Sequence, residues 1–386
     1  MKKLILFLSL GTLFCAGCHT EKLDNPNPPG NTEVTHKSIK QLHIEQPPRK
    51  TVYLLNEALE LDGISIKVTY TDGTTTTLTS QTLPEDWQHD FSSEKPCRGK
   101  DITLRPAAPS SDVQVSFPVD VLPLLVENDI LVQVVPSEYT TLRLPEGIKS
   151  INDEVFGNNT GLEELILPGT LEKIGRHTFY GSHLKTVDLS RSTLKELPSG
   201  TFESCEQLSS VLLPKTLKKI GGNAFLGTTQ LSELEIPEGV EELGNTAFSG
   251  SGIRRVRLPN TIRTIQRSFY QCSELKEVTT YGQTNPAVEA AGSIWGESFQ
   301  HCRNLEILQI PGGVSRIGIS VLGECKVEEL VIPTQVTHIE FNAFGNATTL
   351  QKVHLQGNKK KVIEDQAFPS TLQEEVLKQN AMLADE

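Results

Sequence analysis

Apolar positions in the second half of the chain recur with a fixed period. Phenylalanine stands at Phe156, Phe179, Phe202, Phe225 and Phe248, a spacing of 23 residues, and continues less regularly at Phe269, Phe299, Phe344 and Phe368. Each ring sits in the same apolar frame, clearest in the copy that opens at Leu213-Pro214, runs through Leu217, Ile220-Gly221, Ala224-Phe225, Leu231, Leu234 and Ile236, and ends where Pro237 opens the next. Copies starting at Leu167 and Ile236 keep the frame while the letters between vary. A period of this size marks a solenoid, whose units cannot bury their apolar faces alone and must stack.

Within each copy, Leu-x-x-Leu/Val-x-Leu/Ile alternates around its last two apolar residues, which predicts a short strand with one face inward. Stacking would pair these strands into a parallel sheet. The glycines after Ile174, Ile220, Leu243 and Ile317 are expected to supply positive-φ turns, and small residues before the ring, such as Ala224 and Ala247, to relieve crowding in a ring column.

The first half has a different rhythm. Ile64, Ile66, Val68 and Tyr70 alternate with polar residues, Asp72-Gly73 supplies a hairpin turn before Thr74 to Thr79, and Val113, Val115, Phe117, Val119 and Val121 alternate likewise. Ahead of these strands, Asp24-Asn25-Pro26-Asn27-Pro28-Pro29-Gly30 has nothing to build a core from and reads as a tether. Lys2-Lys3, the apolar run Leu4 to Phe14 and the small residues before Cys18 read as an export leader too short to span a bilayer. An uncapped solenoid exposes its core, so Asp129 to Leu144 is expected to form an atypical first unit. Pro369-Ser370-Thr371 with Gln373 and Glu374 is expected to form a capping box and a short helical lid.

The repeat frame, from about Asp129 to Leu372, resembles the BspA-like leucine-rich repeat family: Leu/Ile-Pro, Val, Ile-Gly, Ala-Phe, Cys, then Leu, Val and Leu/Ile-Pro. It departs at Leu189-Ser190, at Leu322 in place of Phe, and at Gly282 to Trp295, which lengthens one unit. The resemblance implies surface proteins that bind host extracellular proteins or other cells. Leu59 to Gly63 with Val68 to Thr74 resembles a bacterial immunoglobulin-like domain, which implies a stalk or spacer. Cys15-Ala16-Gly17-Cys18 resembles a bacterial lipoprotein box, which implies acylation of Cys18 and stable membrane anchoring. The expected fold is mainly β with short helical or turn segments: an immunoglobulin-like β-sandwich followed by a solenoid of about ten units of about 23 residues. The expected divisions are a lipoprotein signal peptide at 1–18, a flexible tether at 19–37, the sandwich at 38–124, the solenoid at 125–372, and a C-terminal capping helix or tail at 373–386.

Composition narrows the function classes. The net charge of −12 with dispersed Lys and Arg disfavours nucleic acid, because phosphate neutralisation needs a clustered basic footprint. Lys359-Lys360-Lys361 is expected to be a solvated loop. Cys205, Cys272, Cys302 and Cys325 each follow the repeat ring, or Leu322, by three residues, so they are expected to be small buried hydrophobes in a column. A bridge between neighbours such as Cys302 and Cys325 stays open. The chain carries no G-x-S-x-G, H-E-x-x-H, P-loop, dinucleotide fingerprint or metal-spaced Cys/His set, so neither enzyme chemistry nor a cofactor or metal is expected.

Function is therefore sought on outward positions of the repeat strands. These are Glu164 and Ile166, Thr186 and Asp188, Ser210 and Leu212, Glu233 and Glu235, Arg255 and Arg257, Glu277 and Thr279, Ile307 and Gln309, Glu329 and Val331, Lys352 and His354. Two readings compete. Glu233 and Glu235 can simply answer Arg255 and Arg257 across strands; alternatively, the apolar Ile166, Leu212, Ile307 and Val331 in these rows make a contact surface for a host or cell-surface protein. Trp295, in the insertion, is a candidate loop contact for a glycan or a local cap over a missing strand. The expected protein is exported, anchored by lipid at an outer membrane, and exposed at the cell surface, with adhesion as its role. Glycan capture and a purely structural envelope role are the alternatives.

Overall fold

A computed structural model describes residues 37–107, 112–281 and 294–384. The expected leader, Cys18 and the expected tether lie outside the described residues, as does most of the 282–295 insertion.

In the first unit, strands Ile39–Gln46, Ser65–Tyr70 and Thr75–Thr79 make one antiparallel sheet. Val52–Tyr53, Val115–Val121, Cys97–Arg105 and Gln88–His89 make a second. The alternating residues read from the sequence bury as a set: Ile64, Ile66, Val68, Val115, Phe117, Val119 and Val121 share a core with Tyr53, Ile102 and Leu104. The hairpin turn forms at Gly73, whose φ of 84° needs a residue without Cβ penalty. Asp72 fixes that turn by accepting bonds from the Thr74 amide (2.9 Å) and hydroxyl (2.6 Å). With the Lys37 ammonium 2.8 Å away, these donors hold the Asp72 carboxyl far below the usual carboxylate range, Lys37 contributing most.

The second unit opens on an antiparallel hairpin, Leu124–Glu127 with Ile130–Val134, turned at Asn128 and Asp129 in left-handed conformations. Ile130–Val134 then pairs in parallel with Ser150–Ile151, so the first coil is covered by a hairpin that begins at Leu124, ahead of the expected start of the first unit at Asp129. Leu124 is already part of the solenoid core. The two units touch where the Tyr139 hydroxyl donates to Cys97 O at 3.0 Å and the Leu55 amide donates to Leu124 O at 3.2 Å.

Each coil carries two short strands where the sequence pattern predicted one. On the first flank the strands are Thr141–Arg143, Glu164–Ile166, Thr186–Asp188, Ser210–Leu212, Glu233–Glu235, Arg255–Leu258, Glu277–Thr280, Ile307–Leu308, Glu329–Ile332 and Lys352–Leu355, in parallel sheets of four, four and two. On the second flank the Leu-Lys-Lys-Ile type segments pair into an eight-stranded parallel sheet running from Glu196–Leu197 to Val362–Ile363.

Between the flanks run the rings. Phe156, Phe179, Phe202, Phe225, Phe248, Phe269 and Phe299 stack with successive centroid separations of 5.4, 5.0, 5.2, 5.1, 5.0 and 5.4 Å. Leu322 interrupts the column before Phe344 and Phe368 resume it at 5.4 Å. Among the described residues Cys97, Cys205, Cys272, Cys302 and Cys325 are free thiols, and the last four are buried beside the rings as the column reading expects. Cys205, Cys272 and Cys302 donate Sγ–H to Phe179 O, Phe248 O and Phe269 O at 2.9, 2.9 and 3.0 Å. Burial pushes the Cys205 thiol up to about 11 and the Cys272 thiol up to about 12, so neither is a ready thiolate.

Three sequence expectations need correction. Gly175, Gly221 and Gly244 do not adopt positive φ. They are glycines because the preceding coil's backbone passes against them: a Cβ at Gly175 would stand 2.3 Å from Asp153 N, and one at Gly244 would stand 2.4 Å from Gly222 N. The left-handed residues flank the ring instead, two before it (Glu154, His177, Gly200, Asn223, Thr246, Arg267) and two after it (Asn158, Gly181, Ser204, Gly227, Gly250, Gln271). Next, Lys361 is not a solvated loop residue. It is 5% exposed, and its ammonium donates to Val336 O at 2.8 Å and Pro333 O at 3.2 Å. Finally, the capping helix spans Ser370–Ala381, starting before position 373 and running past Leu377. Neither Ser370 nor Thr371 caps it by a side-chain bond; the Gln373 side chain accepts the Phe368 amide at 2.9 Å. Leu372 and Val376 bury against the last coil, and Asn380 grips Lys361 through its amide and carbonyl, both at 2.9 Å.

Candidate functional site

On the first flank the predicted rows exist in register. Glu164 aligns with Thr186 and then Ser210, and Ile166 with Asp188 and then Leu212. Glu233 aligns with Arg255, Glu277 and Ile307, Glu235 with Arg257 and Thr279, Glu329 with Lys352, and Val331 with His354. Period-two alternation sends the intervening Leu165, Val187, Val211, Leu234, Val256, Val278, Leu308, Leu330 and Val353 into the core. Glu164, Leu212, Glu233, Glu235, Arg255, Arg257, Ile307, Gln309, Glu329, Val331 and Lys352 are exposed, while Ile166, Asp188 and Glu277 are half-buried.

Several of these side chains have local partners. Asp188 accepts bonds from the Ser190 amide and hydroxyl at 2.9 and 2.6 Å, so it caps a turn. Gln309 accepts the Thr280 amide at 3.0 Å with its carbonyl oxygen. The His354 ring lies 2.7 Å from Glu329 and the Lys352 ammonium 3.6 Å away. Their bonding and charge hold the Glu329 carboxyl below its ordinary value, His354 contributing most.

The expected answer of Glu233 and Glu235 to Arg255 and Arg257 is not the contact formed. Arg255 turns to Glu277, at 3.6 Å. Arg257 lies over the Tyr281 ring, 4.3 Å from its centroid, and its Nε is 3.4 Å from Thr280 O. Tyr281 reaches back across two coils to donate to Ile236 O at 3.1 Å, with Glu235 at 3.5 Å. Burial raises the Tyr281 hydroxyl above its ordinary pKa, and the Glu235 charge adds to it. In the sequence Tyr281 is only an aromatic at the edge of an insertion; no local pattern announces that it covers Arg257.

The sheet on this flank opens in two places, and a groove lies at each. Ser210–Leu212 and Glu233–Glu235 belong to separate sheets. A groove of about 490 Å³ sits there, lined by Leu212, Lys215, Glu235, Glu238 and Tyr281 among others. Ile307–Leu308 and Glu329–Ile332 are likewise unpaired, and there the groove is about 1010 Å³. It is lined by Ile307, Gln309, Glu329 and Val331 of the predicted set, and by Glu306, Lys326 and Glu328, which the row pattern did not pick out. Leu212, Ile307 and Val331 are 53, 49 and 40% exposed, so the apolar positions stand at the grooves. Ile166 stands apart from both.

Trp295 is placed elsewhere. Its backbone lies in the strand Ile294–Gly296 of the second flank, in register with Ile265 on one side and Ile317 on the other. It belongs to a paired strand on the flank opposite the rows, not to a loop beside them. Cys18 lies outside the described residues.

The coil geometry, the ring column and the repeat frame together define a leucine-rich repeat solenoid. The chain matches the family described as "BspA type Leucine rich repeat region (6 copies)" over residues 136–225, 195–291 and 288–381, and it belongs to that family. Comparison with curated proteins finds no match. Solved structures similar to it include the leucine-rich repeat protein TpLRR of T. pallidum, with 22% identity and a TM-score of 0.36 over 51% of this chain and 80% of that chain. A leucine-rich repeat protein from Bacteroides ovatus shares 17% identity with a TM-score of 0.31, over 79% and 98%. A leucine-rich cell surface protein from Faecalibacterium prausnitzii shares 18% with a TM-score of 0.24, over 78% and 96%. These likenesses concern the fold.

Proposed function

We propose that this chain is a non-enzymatic surface protein, lipid-anchored through Cys18, that holds a host or cell-surface protein on the first flank of its solenoid. The N-terminal two-sheet unit serves as an immunoglobulin-like spacer between anchor and binding face. One observation carries the reading: outward side chains stand in register over successive coils, and the exposed aliphatic residues among them fall at the two openings of the sheet. A regular, rigid surface loses little conformational entropy on binding, and apolar residues in a depression are what an interface core requires.

The test is capture by the purified chain on arrays of matrix and cell-surface proteins and of polysaccharides. Protein capture that is lost on joint charge reversal at Arg255 and Arg257 is the expected result; protein capture indifferent to every change on this flank overturns the reading. The anchor is tested by metabolic labelling with a fatty acid, where Cys18→Ala must abolish incorporation.

Glycan capture is the second reading, and the Tyr281 and Arg257 pair favours it more than Trp295 does. Tyr281, with Arg257 over its ring, lines the 490 Å³ groove together with Glu235 and Glu238, the mix of an aromatic and polar groups that suits a sugar. Polysaccharide hits lost in Tyr281→Ala would select this reading over the first.

A further inference from the structure

The larger groove marks the place where one coil parts from the next. Upstream of it the Lys326 amide donates to Leu305 O at 2.8 Å, and downstream Arg316–Ile317 pairs in register with His338–Ile339. Between these points, among the described residues, no backbone hydrogen bond joins Ile307–Leu308 to Glu329–Ile332. Each of the two strands is paired on its far side, Ile307–Leu308 to Glu277–Thr280 and Glu329–Ile332 to Lys352–Leu355. The gap is therefore bordered by two strand edges without the partners that coils within each sheet supply, as is the smaller opening beside Glu233–Glu235. Unpaired edges of this kind accept an added strand.

Side chains at the gap define what such a strand would carry. Glu306, Glu328 and Glu329 line the groove; Glu329 is already held by His354 and Lys352, so Glu306 and Glu328 are the carboxylates that face Lys326, whose ammonium is bonded to Asn304 at 2.9 Å. Among the described residues Glu306 and Glu328 make no ion pair. Ile307 and Val331 flank the opening as exposed aliphatic contacts. Main-chain groups want an extended backbone, the carboxylates want Lys or Arg, and alternation along a strand puts apolar residues between the charges.

We propose that this gap takes an extended peptide segment with alternating basic and aliphatic residues, added as a strand between the two parted coils. The proposal rests on the protein-binding reading of this flank and names the partner's chemistry. An area of regular sheet elsewhere on the flank offers no main-chain bonds, since its edges are already paired.

The test uses the full chain and a fluorescein-labelled Lys-Val-Lys-Val-Lys-Val peptide, followed by anisotropy, with a Glu-Val-Glu-Val-Glu-Val peptide and an oligosaccharide of similar length as the other arms. Binding of the basic peptide that weakens with salt and falls at least tenfold in the Glu306→Lys, Glu328→Lys double variant is expected. Amide hydrogen exchange over 328–332 in the unaltered chain should slow when the peptide binds, a readout that does not depend on how the variant folds. Equal binding of the acidic peptide, occupation by the oligosaccharide or by a second copy of the chain, or unchanged exchange over 328–332 each overturns the proposal. If protein capture on the arrays is lost at Arg255 and Arg257 but untouched at Glu306 and Glu328, the gap falls while the flank stands; capture indifferent to both pairs removes the wider reading itself.

Discussion

The coils around Phe225 and the coil around Leu322 are built from one frame and end up different. Around Phe225 the ring is stacked on both sides at 5.2 and 5.1 Å, with neighbours 23 residues away in each direction. Around Leu322 the ring is missing, a small extra pairing of Phe299–Gln300 with Leu322–Gly323 takes its place, and the first flank opens into a groove of about 1010 Å³, against about 490 Å³ at the opening beside Glu233–Glu235 in the Phe225 coil. The second flank stays paired through both regions. A solenoid is held by nearest-neighbour interfaces, so one coil can yield on one side without unzipping the rest. The regular frame keeps the rings stacked even where the first flank parts, and the lost ring at Leu322 accompanies the wider of the two openings.

Four measurements would break or sharpen that contrast. The largest effect is expected from Phe225→Ala, which empties a fully buried ring site and should cost about 3 to 5 kcal/mol in denaturant unfolding, against about 2 to 3 kcal/mol for Leu322→Ala. Equal costs would mean that the Leu322 coil is packed as tightly as the regular ones.

Next comes the far end of the irregular region, where Lys361→Ala strips the Val336 carbonyl of its ammonium partner and should cost about 1 to 3 kcal/mol. This site also carries a pH signature. Burial lowers the Lys361 pKa from its ordinary 10.5, so above the folded pKa the unfolded state binds the extra proton. The cost of burying the ammonium is present below the folded pKa and is relieved as pH rises from there to 10.5. Relative to Lys361→Ala, the unaltered chain should gain stability over that window, measured as thermal midpoints at stepped pH; a relative loss would contradict the buried geometry.

A smaller effect is expected on the exposed flank. Arg257→Ala removes the cation held over Tyr281 and should cost about 0.5 to 1 kcal/mol by chemical denaturation, with Arg257→Lys recovering part of it. The smallest is a gain. Glu154 is exposed and left-handed with φ of 59°, so Glu154→Gly should relieve backbone strain and stabilise by up to about 1 kcal/mol, offset in part by unfolded-state entropy. A loss there would mean that the left-handed turns beside the ring column are held by side-chain contacts and not by backbone preference.

Much of the scaffold was legible because its signals repeat. Ring spacing gave the coil, alternation around Leu165, Leu234 and Val256 gave the inward and outward sides, and the phase of the cysteines gave their column. The glycine after Ile174 was visible as a constraint but misread, since a residue chosen for close approach of a neighbouring backbone leaves the same letter as one chosen for a positive φ. Lys361 was misread for a related reason: a triplet of lysines resembles a solvated turn until the carbonyls of Pro333 and Val336, more than twenty residues earlier, are placed beside it.

By itself the sequence determined the architecture, the orientation of the first-flank strand residues and the family, because a strict period needs only local chemistry repeated. Tertiary structure alone decided where the ladder parts, that Arg257 finds Tyr281 instead of Glu235, and that Trp295 joins the second flank. Those outcomes depend on how much one coil's path differs from its neighbour's, a sum of small displacements along the stack that no single repeat encodes.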